Sequence, residues 1–142
     1  MSFDIKIENG DWVIDRTGDL QKVENTEKLV QDCLKILVTK VGSIPFHPTY
    51  GSALGKNLIG NVFDTEFISS TAQNAIKNSL EALQKYQRNQ SLYQRVTPEE
   101  QLASIKQIVV ERNSVDPRHF SVVVEIATGA FTKQTLNFTV EL

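Results

Sequence analysis

A chain of 142 residues, 40% apolar and 23% charged, is long enough to bury a core as one domain over residues 1–142, and that composition excludes wholesale disorder. Fifteen Lys and Arg against seventeen Asp and Glu leave a net charge of −2, which gives no broad attraction to nucleic acid or to an anionic membrane. The single cysteine, Cys33, excludes an internal disulfide, no apolar run nears the roughly 20 residues of a membrane helix, and Met1–Lys6 lacks the build of a signal peptide, so a soluble protein made in a cytoplasm is expected.

Phe3, Ile5 and Ile7 alternate with Asp4, Lys6 and Glu8, the period of a half-buried strand. Asn9-Gly10 then suits a tight hairpin, and Trp12 and Ile14 lie on one side of the returning strand. A second turn at Thr17-Gly18-Asp19 leads to Leu20–Val23, which completes a small meander. From Thr26 to about Val41 the period becomes helical, with Leu29, Val30, Cys33, Leu34, Ile36, Leu37 and Val41 on a broad apolar face. Asn25 or Thr26 is the expected cap and Gly42 the expected stop. Pro45, Pro48 and Gly51 make the stretch from Ser43 to Ser52 a loop, and a short helix is expected over Ala53–Ile59.

Asp64 caps a longer helix that carries Ile68, Ala72, Ala75, Ile76, Leu80, Leu83 and Tyr86 at steps of three or four. The polar run Gln87–Ser91 is expected to fray. Thr97-Pro98-Glu99-Glu100 opens a one-turn helix, with Thr97 and Glu100 placed for a capping box. From Ile105 the period falls to two. Ile108 and Val110 mark one strand, Phe120, Val122, Val124 and Ile126 the next, and Leu136, Phe138, Val140 and Leu142 the last. Turns fall at Asn113–Pro117 and Thr128-Gly129. The expected fold class is α+β: an N-terminal β-hairpin or meander, two main helices with short helices, and a C-terminal antiparallel sheet of about three strands.

Candidate chemistry is sparse. His47 and His119 lie far apart with no second ligand at metal-binding spacing, so no metal site is expected; His47 reads as a loop residue and His119 as the polar face of a strand start. Cys33 on an apolar helix face reads as core. Gly51-Ser-Ala-Leu-Gly55-Lys56-Asn57 imitates a phosphate-binding loop. It has three residues between its glycines where four are required, and Asn57 stands where a magnesium-binding hydroxyl belongs. Gly51 then reads as a turn, with Gly55 and Gly60 allowing close helix packing. Glu99 and Glu100 belong to a helix start, and Glu111, Glu125 and Glu141 to strands, which leaves no evident pair of carboxyls across a cleft. Lys85, Arg88 and Arg95, interleaved with Tyr86 and Tyr93, read as a solvated helix end rather than a nucleic-acid surface. No catalytic residue and no cofactor is expected.

The run from Thr17 through Gly18-Asp19-Leu20 to Asn25, the helix after it, and Pro45-Phe-His-Pro-Thr-Tyr-Gly-Ser-Ala-Leu54 resemble the baseplate wedge or sheath-initiator family of contractile phage tails and type VI secretion baseplates, also called lysozyme-like. The likeness follows element order over most of the chain and residue detail from about Gly18 to Gly60. Many members carry a Glu-Pro-Arg triplet before the C-terminal strands, where it contacts a helical bundle of the wedge. Here that region reads Thr97–Ala103, and the nearest look-alike, Asp116-Pro117-Arg118, lies in a turn between strands. Pro98, Glu99, Glu100, Asp116, Pro117 and Arg118 are therefore candidate wedge contacts.

The resemblance implies a structural subunit of the virion's tail baseplate, assembled in the host cytoplasm, that links the baseplate to the first sheath ring. Its partners would be the tail sheath protein, other wedge proteins and the tail tube or hub, with neither nucleic acid nor membrane among them. The sheet of residues 105–142 would offer an edge for strand addition through Thr135, Leu136, Asn137, Phe138, Thr139, Val140 and Glu141, and that strand is read as running to the last residue without a blocking tail. The alternatives are a tail-associated cell-wall hydrolase and another tail assembly protein such as a terminator.

Overall fold

In the computed structural model, which describes residues 2–54 and 64–141, the chain starts with short strands β1 (Phe3–Ile5), β2 (Ile7–Glu8), β3 (Asp11–Trp12) and β4 (Lys22–Glu24). Asn9 and Gly10 take φ of 52° and 81°, the left-handed pair that folds β2 back on β3 in register Ile7↔Trp12. At the second turn the Asp15 carboxylate accepts from the Thr17 and Asp19 amides at 2.7 and 3.0 Å, around Gly18 at φ 92°. β1 pairs antiparallel with β4, and an isolated bridge joins Ile14 to Leu20.

Helix α1 spans Asn25–Val38 and presents Leu29, Cys33, Ile36 and Leu37 to the core. Neither expected cap forms. Glu24 holds the cap position without a side-chain bond, while Asn25, at φ 53°, accepts from the Thr97 hydroxyl at 3.1 Å. The helix also ends three residues before Val41, because the segment after it is bound by a loop. Lys40 bridges Ser52 in parallel, the Ser52 amide donates to the Thr39 carbonyl at 2.7 Å, and the Ser52 hydroxyl donates to the Leu37 carbonyl at 2.9 Å. Gly51 makes this approach possible: its φ is 118°, and a Cβ would lie 2.7 Å from both the Thr39 carbonyl oxygen and the Val41 nitrogen. The short helix expected at Ala53–Ile59, with Gly55 and Gly60, falls outside the described residues beyond Leu54.

Asp64 caps helix α2 (Thr65–Ser91), accepting from the Glu66 and Phe67 amides at 3.0 and 3.2 Å. The expected fraying after Tyr86 does not occur. Gln87 is buried, donates to the Glu100 carbonyl at 2.9 Å and accepts from the Leu102 amide at 2.8 Å, so a polar residue anchors the last turns. Tyr86 stacks edge-on with Tyr50 and shares a 2.7 Å hydrogen bond with Thr49, which fixes the proline-rich loop to α2.

A 3₁₀ turn at Pro98–Glu100 carries the expected capping box and leads directly into β5 (Leu102–Arg112), followed by β6 (His119–Thr128) and β7 (Lys133–Glu141) in one antiparallel sheet of order β5-β6-β7. β5 starts three residues before Ile105. Register shifts at Leu102/Ser104 and Ile105/Gln107 bring Leu102, Ile105 and Val110 onto the core despite their uneven spacing. Phe120, Val122, Val124 and Ile126 of β6 and Leu136 of β7 pack against both helices, as the period-two reading requires. Burying each such side chain contributes about 1.5–3 kcal/mol.

The meander departs from the expected half-buried face. Phe3, Ile7, Trp12, Ile14 and Leu20 are all exposed, and Val23 alone of this segment's large apolar residues is fully buried. The meander is held to α1 by polar bonds: Gln31 donates to Asp4 and to the Ile5 carbonyl and accepts from the Ile7 amide, and Lys35 reaches Asp4 at 2.6 Å.

Candidate functional site

The two margins of the C-terminal sheet differ. The Thr128 amide donates to the Thr132 carbonyl at 2.9 Å, which sets the phase of the β6–β7 ladder. By antiparallel alternation, Gln134, Leu136, Phe138 and Val140 exchange bonds with β6, whereas Thr135, Asn137 and Thr139 turn their amides and carbonyls outward. Among the described residues no strand pairs with this side of β7. Along its C-terminal half runs a groove of about 560 Å³ whose walls include Leu37, Val38, Leu54, Phe138 and Val140.

On the β5 margin outward carbonyls are occupied. The Asn113 amide donates to the His119 carbonyl, so Ile108, Val110 and Arg112 are among the β5 residues that turn their backbone groups outward. α2 lies over them: the Ser69 hydroxyl donates to the Val110 carbonyl at 3.2 Å and Gln73 to the Ile108 carbonyl at 3.3 Å. Gln84 donates to the Leu102 and Ala103 carbonyls at 3.1 and 3.0 Å. Side chains from a helix thus occupy acceptors that a second chain would otherwise use. Sequence periodicity does not reveal this, since Ser69, Gln73 and Gln84 read only as the polar face of an amphipathic helix.

The candidate wedge contacts are not brought together. Pro98 touches Gly129, where a Cβ would stand 2.8 Å from the Pro98 carbonyl oxygen, so the Pro98–Glu100 turn lies at the β6–β7 hairpin end of the sheet. Asp116, Pro117 and Arg118 lie in the β5–β6 turn at the other end of the eleven-residue β5, roughly 30 Å away. Pro98 is exposed and Glu99 half-buried, but Glu100 faces inward at 1% exposure. Its carboxylate accepts from the Ser2 amide and hydroxyl at 3.0 and 2.7 Å and from the Thr97 amide and hydroxyl at 2.7 and 3.1 Å. Burial raises its pKa, yet the bonds from Ser2 and Thr97 outweigh burial and hold the carboxyl below its ordinary range. Asp116 is lowered too, by the Arg118 amide first and by the nearby charges of Arg118 and His119, whose Nδ1 lies 3.0 Å away.

These shifts bear on catalysis. A glycosidase acid needs a carboxyl pushed upward. Asp4, Asp15, Glu100 and Asp116, the carboxyls displaced from their ordinary values, all move downward. Burial pushes the Cys33 thiol up to about 12, which keeps it protonated inside the core. His47 packs on the Tyr86 ring and His119 sits beside Asp116, at separate places. Among the described residues no group of three or more His, Cys, Asp and Glu could hold a metal, and no helix is long and apolar enough to cross a membrane.

A crystal structure of a candidate tail lysozyme from Geobacter sulfurreducens superimposes with a TM-score of 0.62 over 82% of this chain and 89% of that one. At 13% identity this likeness carries the fold alone. No curated protein matches the chain. The family model for contractile injection system sheath initiators matches residues 1–88, which takes in the Gly18-Asp19-Leu20 turn, α1, the Gly51-Ser52 loop and most of α2. The chain belongs to the contractile injection system sheath initiator family, and its role is that of a baseplate-associated part of a contractile tail.

Proposed function

We propose that the chain starts sheath assembly by offering the outer side of β7 to a strand donated by the first ring of sheath protein. The observation that carries this reading is the contrast between margins: Ser69, Gln73 and Gln84 occupy β5 carbonyls, while Thr135, Asn137 and Thr139 direct their backbone groups away from β6. An added strand would satisfy those groups and set alternate side chains into the groove beside Phe138 and Val140. Leu136 is then the inward anchor of the template and Glu141 its far end.

A linking subunit needs separate surfaces for its neighbours. The Pro98–Glu99 turn, at the end of the sheet opposite Glu141, suits the wedge side, whereas Asp116–Arg118 lies beside the docking edge, since His119 pairs with Glu141. On this reading the chain is structural rather than hydrolytic, and Glu100 and Asp116 stand at opposite ends of β5, too far apart to act as a carboxyl pair.

Asn137→Pro tests the proposal, because it removes one outward amide and leaves every ladder bond to β6 in place. Particles carrying it should build baseplates of normal composition with sheath missing or fragmentary. Sheath of normal length on those baseplates sinks the proposal. The same particles should carry Asn137→Ser without defect, which separates a backbone role from a side-chain one.

A further inference from the structure

The meander carries a second surface that the strand-addition reading does not use. Ile7 and Trp12 are directly opposite each other in the β2–β3 ladder, Ile14 and Leu20 are opposite each other at their bridge, and only Val13, whose amide donates to the Lys6 carbonyl and whose carbonyl accepts from the Gln21 amide, separates the two pairs along the chain. Four apolar side chains therefore form one stripe, exposed by 41% at Ile7, 62% at Trp12, 64% at Ile14 and 40% at Leu20. The stripe does not stop at Ile7. That residue also lines a groove of about 280 Å³ with Val23, Val30 and Leu34, alongside the polar Lys6, Glu27 and Gln31, so the apolar strip adjoins a concavity that could receive one side chain.

The surroundings are acidic. Between residues 6 and 27 stand Glu8, Asp11, Asp15, Asp19, Glu24 and Glu27 against Lys6, Arg16 and Lys22. Lys6 lies 3.8 Å from Glu8, and Lys22 covers the Phe3 ring at 4.4 Å. A second copy of this chain would bring one acidic rim against another, which like-charge repulsion opposes. The patch fits a different partner.

We propose that the stripe Ile7–Trp12–Ile14–Leu20 docks a second baseplate protein through an apolar ridge flanked by Lys and Arg, at a surface independent of β7. The aromatic centre and the adjoining groove supply an anchor of the kind that dominates protein interfaces, and the carboxylates set orientation and approach.

Trp12 is the only tryptophan, so 5-fluorotryptophan labelling gives one ¹⁹F resonance at the centre of the patch. The labelled full chain is titrated with each of the other baseplate proteins of the same particle, purified singly. One of them should shift or broaden the resonance. Ile14→Ser should weaken that binding at least about tenfold, and Asp11→Lys should weaken it about three- to tenfold while flattening its salt dependence. Circular dichroism should show both variants folded, since both side chains are exposed. Asn137→Pro should bind normally, so failure here and failure of strand addition are read separately. The proposal is overturned if no baseplate protein moves the resonance, or if binding is indifferent to Ile14→Ser. A shift produced by self-association of the chain, or by phosphatidylcholine–phosphatidylglycerol vesicles alone, overturns it equally.

Discussion

Replacing Glu100 by Ala removes one carboxylate that joins three parts of the molecule: the Ser2 end of the N-terminal strand, the Thr97 turn and the start of β5. Three donors lose their acceptor, the Ser2 amide and hydroxyl and the Thr97 amide, while the Thr97 hydroxyl keeps the Asn25 side-chain oxygen at 3.1 Å. Hydrogen bonds to a charged group are worth about 1.5–3 kcal/mol each, but three sharing one carboxylate do not add, and the Thr97 amide regains water. The expected loss is about 3–5 kcal/mol, a large part of the stability of a domain this size. Urea unfolding at neutral pH, followed by far-ultraviolet circular dichroism, measures it directly. The pH profile adds a check of mechanism. The folded carboxyl lies below its unfolded value near 4.5, so its contribution is complete above that value and fades as pH falls through the lower, folded one. Wild type should therefore lose stability on acidification more steeply than Glu100→Ala. Loss under about 1 kcal/mol, or identical acid limbs for the two proteins, would refute the account of Glu100 as an ionised clamp.

Two further perturbations test the packing around the helix ends. Gly51→Ala should cost about 2–4 kcal/mol, because φ of 118° and 2.7 Å approaches to backbone atoms leave a methyl no place; thermal unfolding reads the loss, and a cost under 1 kcal/mol would mean the loop rearranges freely. Gln87→Leu should cost about 2–3 kcal/mol by stranding the Glu100 carbonyl and Leu102 amide, and hydrogen exchange at Leu102 should accelerate while exchange at Val124 changes only with global stability.

The sequence disclosed what depends on period and on local turn chemistry. Alternation placed Phe120, Val122, Val124, Ile126 and Leu136 in the core, and Asn9-Gly10 fixed its hairpin, because side-chain spacing and left-handed φ are local properties. It failed where a distant partner decides. Gln87–Ser91 looked like a fraying end, but the fate of Gln87 depends on the Glu100 carbonyl, thirteen residues later. Val41 continued the apolar spacing of α1, but Ser52 takes the backbone groups that would have continued the helix. The stretch from Leu102 to Ser104 hid its strand because two register irregularities break the period of two. The candidate edge was legible as an alternating C-terminal strand. That carbonyls on its opposite margin are occupied was not, since side-chain bonds from Ser69, Gln73 and Gln84 to β5 carry no signature along the chain. The exposure of the meander is illegible for a related reason: alternation shows that one face is apolar, not what covers it.

The Tyr50-Gly51-Ser52 segment also bears on how family members can vary. Ser52 terminates α1, Gly51 admits the backbone crossing at that same end, and Tyr50 rests on Tyr86 of α2, so three consecutive positions tie together both helices. An insertion of one residue there would misplace all three at once. Length at this point is therefore constrained as tightly as composition, and tolerance for added residues should concentrate at the hairpin tips around Val115 and Phe131, where the side chains meet only water.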